Sequence, residues 1–147
     1  MGNLKLTSSA FSDGGEIPRE CGYKNGNKVP PLAVSGIPDG TKSLALIMDD
    51  PDAMGAVGKI WVHWVAWNID PTKTELELAK STEGMTDFGE VGYGGPAPPD
   101  KRHTYVFKLY ALDSELDLPD KSTKADVEKA MEGHIIEQAT LEGTYAP

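Results

Sequence analysis

Three apolar runs punctuate this chain, and each has the length and residue types of a β-strand. Ser43 to Met48 is a short, nearly continuous apolar run, the pattern of a strand buried on both faces. Ile60 to Ile69 is richer in Trp and Val, residues that suit a pleated surface. Alternation inside it puts Trp61 and His63 on one side and Val62 and Trp64 on the other. Both sides are apolar, so this strand is expected to be covered twice. His103 to Ala111 forms a third run with Tyr, Val and Phe, and Thr140 to Tyr145 can return as a fourth. One segment has helical spacing. From Thr123 to about Glu132, Val127, Ala130 and Met131 share a face, Thr123 and Asp126 fit a capping pair, and Gly133 can end the helix. Glu75 to Lys80 suits a helical turn. Between these elements lie turn and extended signals, Asn25-Gly26, Val29-Pro30-Pro31-Leu32 and Ser35 to Gly40. The expectation is a single, mostly β domain over residues 1–147 with one or two helices near the C-terminus.

Composition narrows the function classes. The chain has 147 residues, enough for one core, and its 16 Gly and 11 Pro favour short connections over a helical bundle. Its 14 basic against 23 acidic residues give a net charge of −9. Nucleic acid is therefore an unsuitable partner, because that affinity comes from Lys and Arg on phosphates. No polybasic cluster suggests docking on anionic lipid, and no stretch is long and apolar enough for stable membrane insertion. A local pocket can still attract an anion, since its field need not share the sign of the whole. Cys21 is the single cysteine, so no intrachain disulfide forms, and nothing near it would stabilise a thiolate. The first residues lack a signal-peptide stretch, and Leu6 stands where a myristoylation site after Gly2 needs Ser or Thr. These points lead to an expectation of a cytoplasmic protein.

Candidate chemistry lies in three places. Asp49-Asp50-Pro51-Asp52 follows the first strand, and an extended chain would give Asp50 and Asp52 a common face. A plain acidic turn explains these residues as well. His63 lies inside the Trp-rich strand, where it is either a hydrogen-bonded core residue or a site residue. Gly92 to Pro99 is a stiff loop whose glycines would let a ligand approach backbone N–H groups, although a surface Gly/Pro loop has the same composition. Beyond it, His103 and Tyr105 point the same way and can offer an imidazole and a phenol to an anion.

In this order, the segments resemble one family, the phosphatidylethanolamine-binding proteins, which include the Raf kinase inhibitor-like proteins. Val29 to Leu32 with Ser35 to Ser43 resembles its Pro-Pro-Leu opening, and Asp50-Pro51-Asp52-Ala53 its Asp-Pro-Asp-Ala-Pro motif. Val62-His63-Trp64 resembles its histidine strand, Gly92 to Pro99 its glycine-proline loop, and His103-Thr104-Tyr105 its His-Arg-Tyr motif. Gly133-His134 and Gly143-Thr144-Tyr145 are similar to the ending of the bacterial and archaeal branch.

The resemblance implies an antiparallel β-sandwich with an anion pocket and no cofactor. By motif position, Asp50, His63, His103 and Tyr105 would line the pocket. Gly95 and Pro96 would form its loop wall, Trp61 its apolar side, and Asp52 a brace. The implied ligand is a phosphate or phospholipid-headgroup-like anion, with a kinase, a protease or another protein partner at the pocket and a homodimer as further implications. The long C-terminal tail of eukaryotic relatives has no counterpart here, which would leave the mouth more open. Three positions depart from the family pattern. Met54 stands in place of a proline, so a trans peptide is expected before it. Thr104 replaces an arginine, and Val34 a tryptophan. The rival readings are a pure protein-interaction module and a metal-dependent hydrolase built on the Asp/His cluster. The residues carry no His-Glu-x-x-His, no Cys pair and no Gly-x-Ser-x-Gly elbow, so the expectation is a binding protein without metal rather than an enzyme.

Overall fold

We analysed a computed structural model that describes residues 3–147. Met1 and Gly2, and with them the myristoylation position, lie outside the described residues. The three apolar runs become the centre of one six-stranded sheet. They are β4 (Ser43–Asp50), β5 (Trp61–Ile69) and β7 (His103–Leu112). The order across the sheet is β2-β8-β7-β4-β5-β6, with β2 at Gly15–Glu16, β6 at Thr82–Glu83 and β8 at Ile135–Tyr145. β4 is buried along its whole length because β7 and β5 flank it and layers cover both faces. A two-stranded sheet of β1 (Lys5–Thr7) and β3 (Ala33–Ser35) forms the second β layer. The sandwich is not purely antiparallel, because β2 pairs with β8 in parallel register.

Two apolar layers follow from strand alternation. On one face Leu44, Leu46 and Met48 of β4 meet Phe107 and Leu109 of β7 and are covered by Leu6, Ile17 and Val34 from the N-terminal segments. On the other, Ala45, Ile47, Val65 and Trp67 receive Val127 and Met131 of the helix α2, Lys124–Met131. Val34, at the family's tryptophan position, thus fills core. Each fully buried aliphatic or aromatic side chain contributes about 1.5–3 kcal/mol, so this double core outweighs any single polar contact of the site.

The sequence reading of α2 holds in detail. Thr123 caps the helix by accepting from Asp126 N–H, while the Asp126 carboxylate accepts from Thr123 N–H. Gly133 then takes a φ of 79°. The turn expected at Glu75 to Lys80 tightens into a 3₁₀ turn at Leu78–Lys80. A short helix α1, Ala53–Val57, was not foreseen. It begins directly after Asp52, whose backbone is already helical, so Asp50 and Asp52 do not share an extended face. All described peptide bonds are trans, including the one before Met54. No described helix is long and apolar enough to cross a membrane.

Candidate functional site

The large-core face of the sheet ends in a cavity of about 130 Å³. Its polar floor comes from three neighbouring strands, with Asp50 from the end of β4, His63 from β5 and His103 from the start of β7. The apolar walls are Trp61 and Phe88 on one side, Ala53, Ala56 and Val57 of α1 on another, and Ala97 and Pro99 on the third.

A β-bulge places His63. Met48 pairs with Trp64 and Asp49 with Val62, which leaves His63 as an extra residue in β5. Such an insertion breaks the alternation of side chains. Val62 accordingly packs into the helix-side core while Trp64 joins the large core, so the expected common side of Val62 and Trp64 is not observed. His63 is buried at 2% exposure. Its ring packs edge-on against Tyr105 at 5.1 Å and Phe88 at 5.3 Å. Nδ1 lies 2.7 Å from the Gly94 carbonyl oxygen. A carbonyl only accepts, so Nδ1 carries the proton and Nε2 is left for other partners. Burial lowers the His63 pKa, against the opposing Gly94 hydrogen bond and the Asp50 charge.

His103 has different surroundings. Its Nδ1 lies 2.6 Å from Asp50 Oδ2 and its Nε2 2.8 Å from Asp100 Oδ1. Burial opposes the charged ring, yet the two carboxylates hold its pKa above the ordinary histidine value. Asp100 responds in kind. Desolvation would raise its carboxyl, but the hydrogen bonds from His103 and from backbone amides hold it below the usual range.

Asp50 is the hinge of the polar floor. Pro51 follows it, its Oδ1 accepts from Asp52 N–H at 2.9 Å, and its Oδ2 holds His103. Asp49, one residue earlier, faces the opposite side and is held by Lys108 and Lys124 at 3.3 and 2.8 Å. Asp52 lies outside the cavity wall and accepts from Thr104 N–H at 2.8 Å, tying the β4 end to the start of β7. That bond uses only the backbone of Thr104, so the exchange of arginine for threonine does not touch it.

Tyr105 lies behind the two histidine rings, 6.3 Å from His103, rather than in the wall. Its hydroxyl is buried without a hydrogen-bond partner. Asp50 and the Ala97 backbone are close enough to influence the phenol, but neither meets it in hydrogen-bonding geometry. Burial first, and then the Asp50 charge, push its pKa far up, so it stays a neutral O–H. The Trp61 indole N–H is likewise buried without a partner.

The glycine-proline loop does something other than expected. Gly94 N–H donates to the His63 carbonyl and Gly95 N–H to Asn27 Oδ1, at 2.8 and 2.7 Å. These amides are committed to the protein and are not open to a ligand. A side chain at Gly94 would overlap the Phe88 ring, and one at Gly95 the Cys21 carbonyl. The glycines therefore let Phe88 and the 21–27 turn close on the loop. Pro96 accepts from Tyr23 N–H through its carbonyl and lies in a neighbouring groove. Gly95 and Pro96 thus support the wall, while Ala97 and Pro99 form it. Phe88, α1 and Asp100 were missed. The only available signal for α1 was Ala53 and Ala56, small residues three apart.

Among the described residues, no group of three His, Cys, Asp or Glu is arranged to hold a metal ion. Residues 7–146 match the sequence profile of phosphatidylethanolamine-binding protein. The chain belongs to that family. The chain is 45% identical to a UPF0098 protein of Methanothermobacter thermautotrophicus, over 97% of this chain and 98% of the relative. The crystal structure of a family homologue from Chlamydia trachomatis superposes with a TM-score of 0.91 at 39% identity, covering 99% of this chain and 98% of the other. Escherichia coli YbcL, a further family member, superposes with a TM-score of 0.88 at 31% identity, covering 98% of each chain.

Proposed function

We propose that this chain is a binding protein whose cavity takes a small oxyanion of the phosphate or phospholipid-headgroup class. The observation that carries the reading is the set of donors around the cavity that have nothing to donate to. The Trp61 indole N–H belongs to a wall residue and is buried and unpartnered, and the Tyr105 hydroxyl is unpartnered behind the two histidines. A buried donor without an acceptor costs about 1–3 kcal/mol, a cost that an incoming oxyanion would remove. His63 Nε2 adds a third contact when protonated, and the apolar walls strip water from the bound group. The name of the family points to the same chemistry. Binding rather than turnover is favoured because no Ser, Thr or Cys stands in the cavity wall beside a histidine.

Asp50 and Asp100 repel an anion, and His103 neutralises only one of the two charges. Affinity is therefore modest, about micromolar to millimolar for a few charge-assisted bonds after the cost of association. Calorimetric titration with inorganic phosphate and with glycerophosphoethanolamine tests the reading. Saturable one-site binding that shifts the NMR signals of His63 and Trp61 is expected. Signal changes confined to surface residues, or no saturation, would overturn it.

A further inference from the structure

His103 lines the cavity, but both of its ring nitrogens are already engaged. Nδ1 is held by Asp50, and Nε2 by a carboxylate from the chain's own loop, Asp100. The two carboxylates differ in kind. The Asp50 side chain is 4% exposed and fixed at the end of a central strand. The Asp100 side chain is 45% exposed and stands outside regular structure, three residues before His103. One is part of the floor, and the other reaches His103 from a half-exposed loop just beyond the lining residues Ala97 and Pro99.

We propose that Asp100 is a built-in stand-in for the ligand, a tethered carboxylate that occupies the anion position on His103 Nε2 and is exchanged for the incoming oxyanion. The inference rests on the anion reading of the cavity and deepens it. Exchange removes the charge conflict, because the ligand's negative charge replaces that of Asp100 instead of adding to it. Asp100 can swing into water at little cost, since it is already half exposed. Pro98 and Pro99 restrict the preceding backbone and keep the carboxylate close enough to return. The device also sets specificity. A simple carboxylate such as acetate offers His103 nothing that the tethered group does not, and tethering gives Asp100 a high effective concentration. A tetrahedral oxyanion has further oxygens for the Trp61 donor in the wall, so it alone gains by the exchange.

The test compares wild type, Asp100→Ala, Asp100→Asn and, as a control for net charge, Asp117→Asn at an exposed position. Each is titrated with inorganic phosphate, glycerophosphoethanolamine and acetate. Asp100→Ala is expected to bind all three about tenfold more tightly than wild type, the factor corresponding to one modest competing bond to a charged group. Acetate binding should be undetectable in wild type and become measurable in Asp100→Ala. Asp100→Asn keeps an acceptor without the charge and should fall between, while Asp117→Asn should match wild type. Phosphate affinity unchanged or weaker in both Asp100 variants, with wild type still binding, would overturn the exchange and leave the cavity reading standing. Failure of wild type and every variant to bind would overturn both.

Discussion

His63 and His103 stand on the same face of one sheet, under one cavity, and the chain treats them in opposite ways. His63 is wrapped in aromatic rings and given a single neutral acceptor, the Gly94 carbonyl. His103 is equally buried but is clamped between two carboxylates. Burial alone disfavours charge in both, so the sign of each shift depends on what burial is set against. One side of the cavity is thereby shifted toward the neutral ring with a free nitrogen, and the other toward the charged ring with none. A pocket with two histidines is not a pocket with two equivalent donors.

The strongest way to break this contrast is to remove the carboxylate that makes His103 different. Asp50→Ala should lower stability by about 3–5 kcal/mol, the usual cost of leaving one member of a buried ion pair behind. Urea unfolding would measure it. The loss should be larger at acidic pH, where the stranded ring is charged, than at alkaline pH. A loss below about 1 kcal/mol, the level of an exposed pair, would mean that His103 is not held as an imidazolium.

Removing the neutral partner should cost less. His63→Ala deletes one hydrogen bond and leaves the Gly94 carbonyl unpaired, about 1–3 kcal/mol. It also removes one flank of the pH profile. A lowered folded pKa makes His63 withdraw stability as pH falls below its unfolded value of about 6.5. A raised folded pKa makes His103 contribute stability that is complete below about 6.5 and is lost as pH rises through the folded value. Wild type should therefore be most stable near about pH 6.5 and lose stability on both sides, while His63→Ala should lose the acid-side decline and keep the decline as pH rises from neutral. A His63→Ala profile that kept the wild-type decline on the acid side would contradict the opposed shifts.

The smallest effect is the most direct. In an NMR titration of wild type, His63 should remain neutral with the proton on Nδ1 below the pH at which an ordinary histidine charges. His103 should remain protonated on both nitrogens above it. Coincident titration of the two rings would remove the comparison altogether.

How much of this was readable in advance follows from the range of each interaction. β4, β5 and β7 announced themselves because burial on both faces writes a local apolar run, and α2 because Thr123 and Asp126 cap it within three residues. The bulge at His63 was invisible because it depends on how β5 registers against β4, and no residue in Trp61 to Trp64 records that register. α1 is too short for periodicity and contains Gly55, which argues against a helix. The roles of Gly94 and Gly95 were misjudged because their amide partners, the His63 carbonyl and Asn27, lie at least 31 residues away in the chain. The set Asp50, His63, His103 and Tyr105 was legible only as motifs that resemble a family. That the first three meet in one wall while Tyr105 stands behind it required coordinates.

The pairing of β8 bears on the order in which the protein can assemble. β8 lies against β7 from His103↔Tyr145 to Leu112↔Ile135, and its other edge carries β2 from near the start of the chain. Arg19, from the same early segment, lies over the Tyr145 ring at 4.3 Å. During synthesis, β8 is the last of these strands to emerge. Until it does, β7 presents an open apolar edge beside the future site, and the early segment has nothing to join. Distant pairings of this kind make folding slow, and an uncovered edge invites pairing with other chains. The vulnerable moment in the life of this protein is therefore its birth, when the floor of the cavity is complete in sequence but still lacks the strand that closes the sheet beside it.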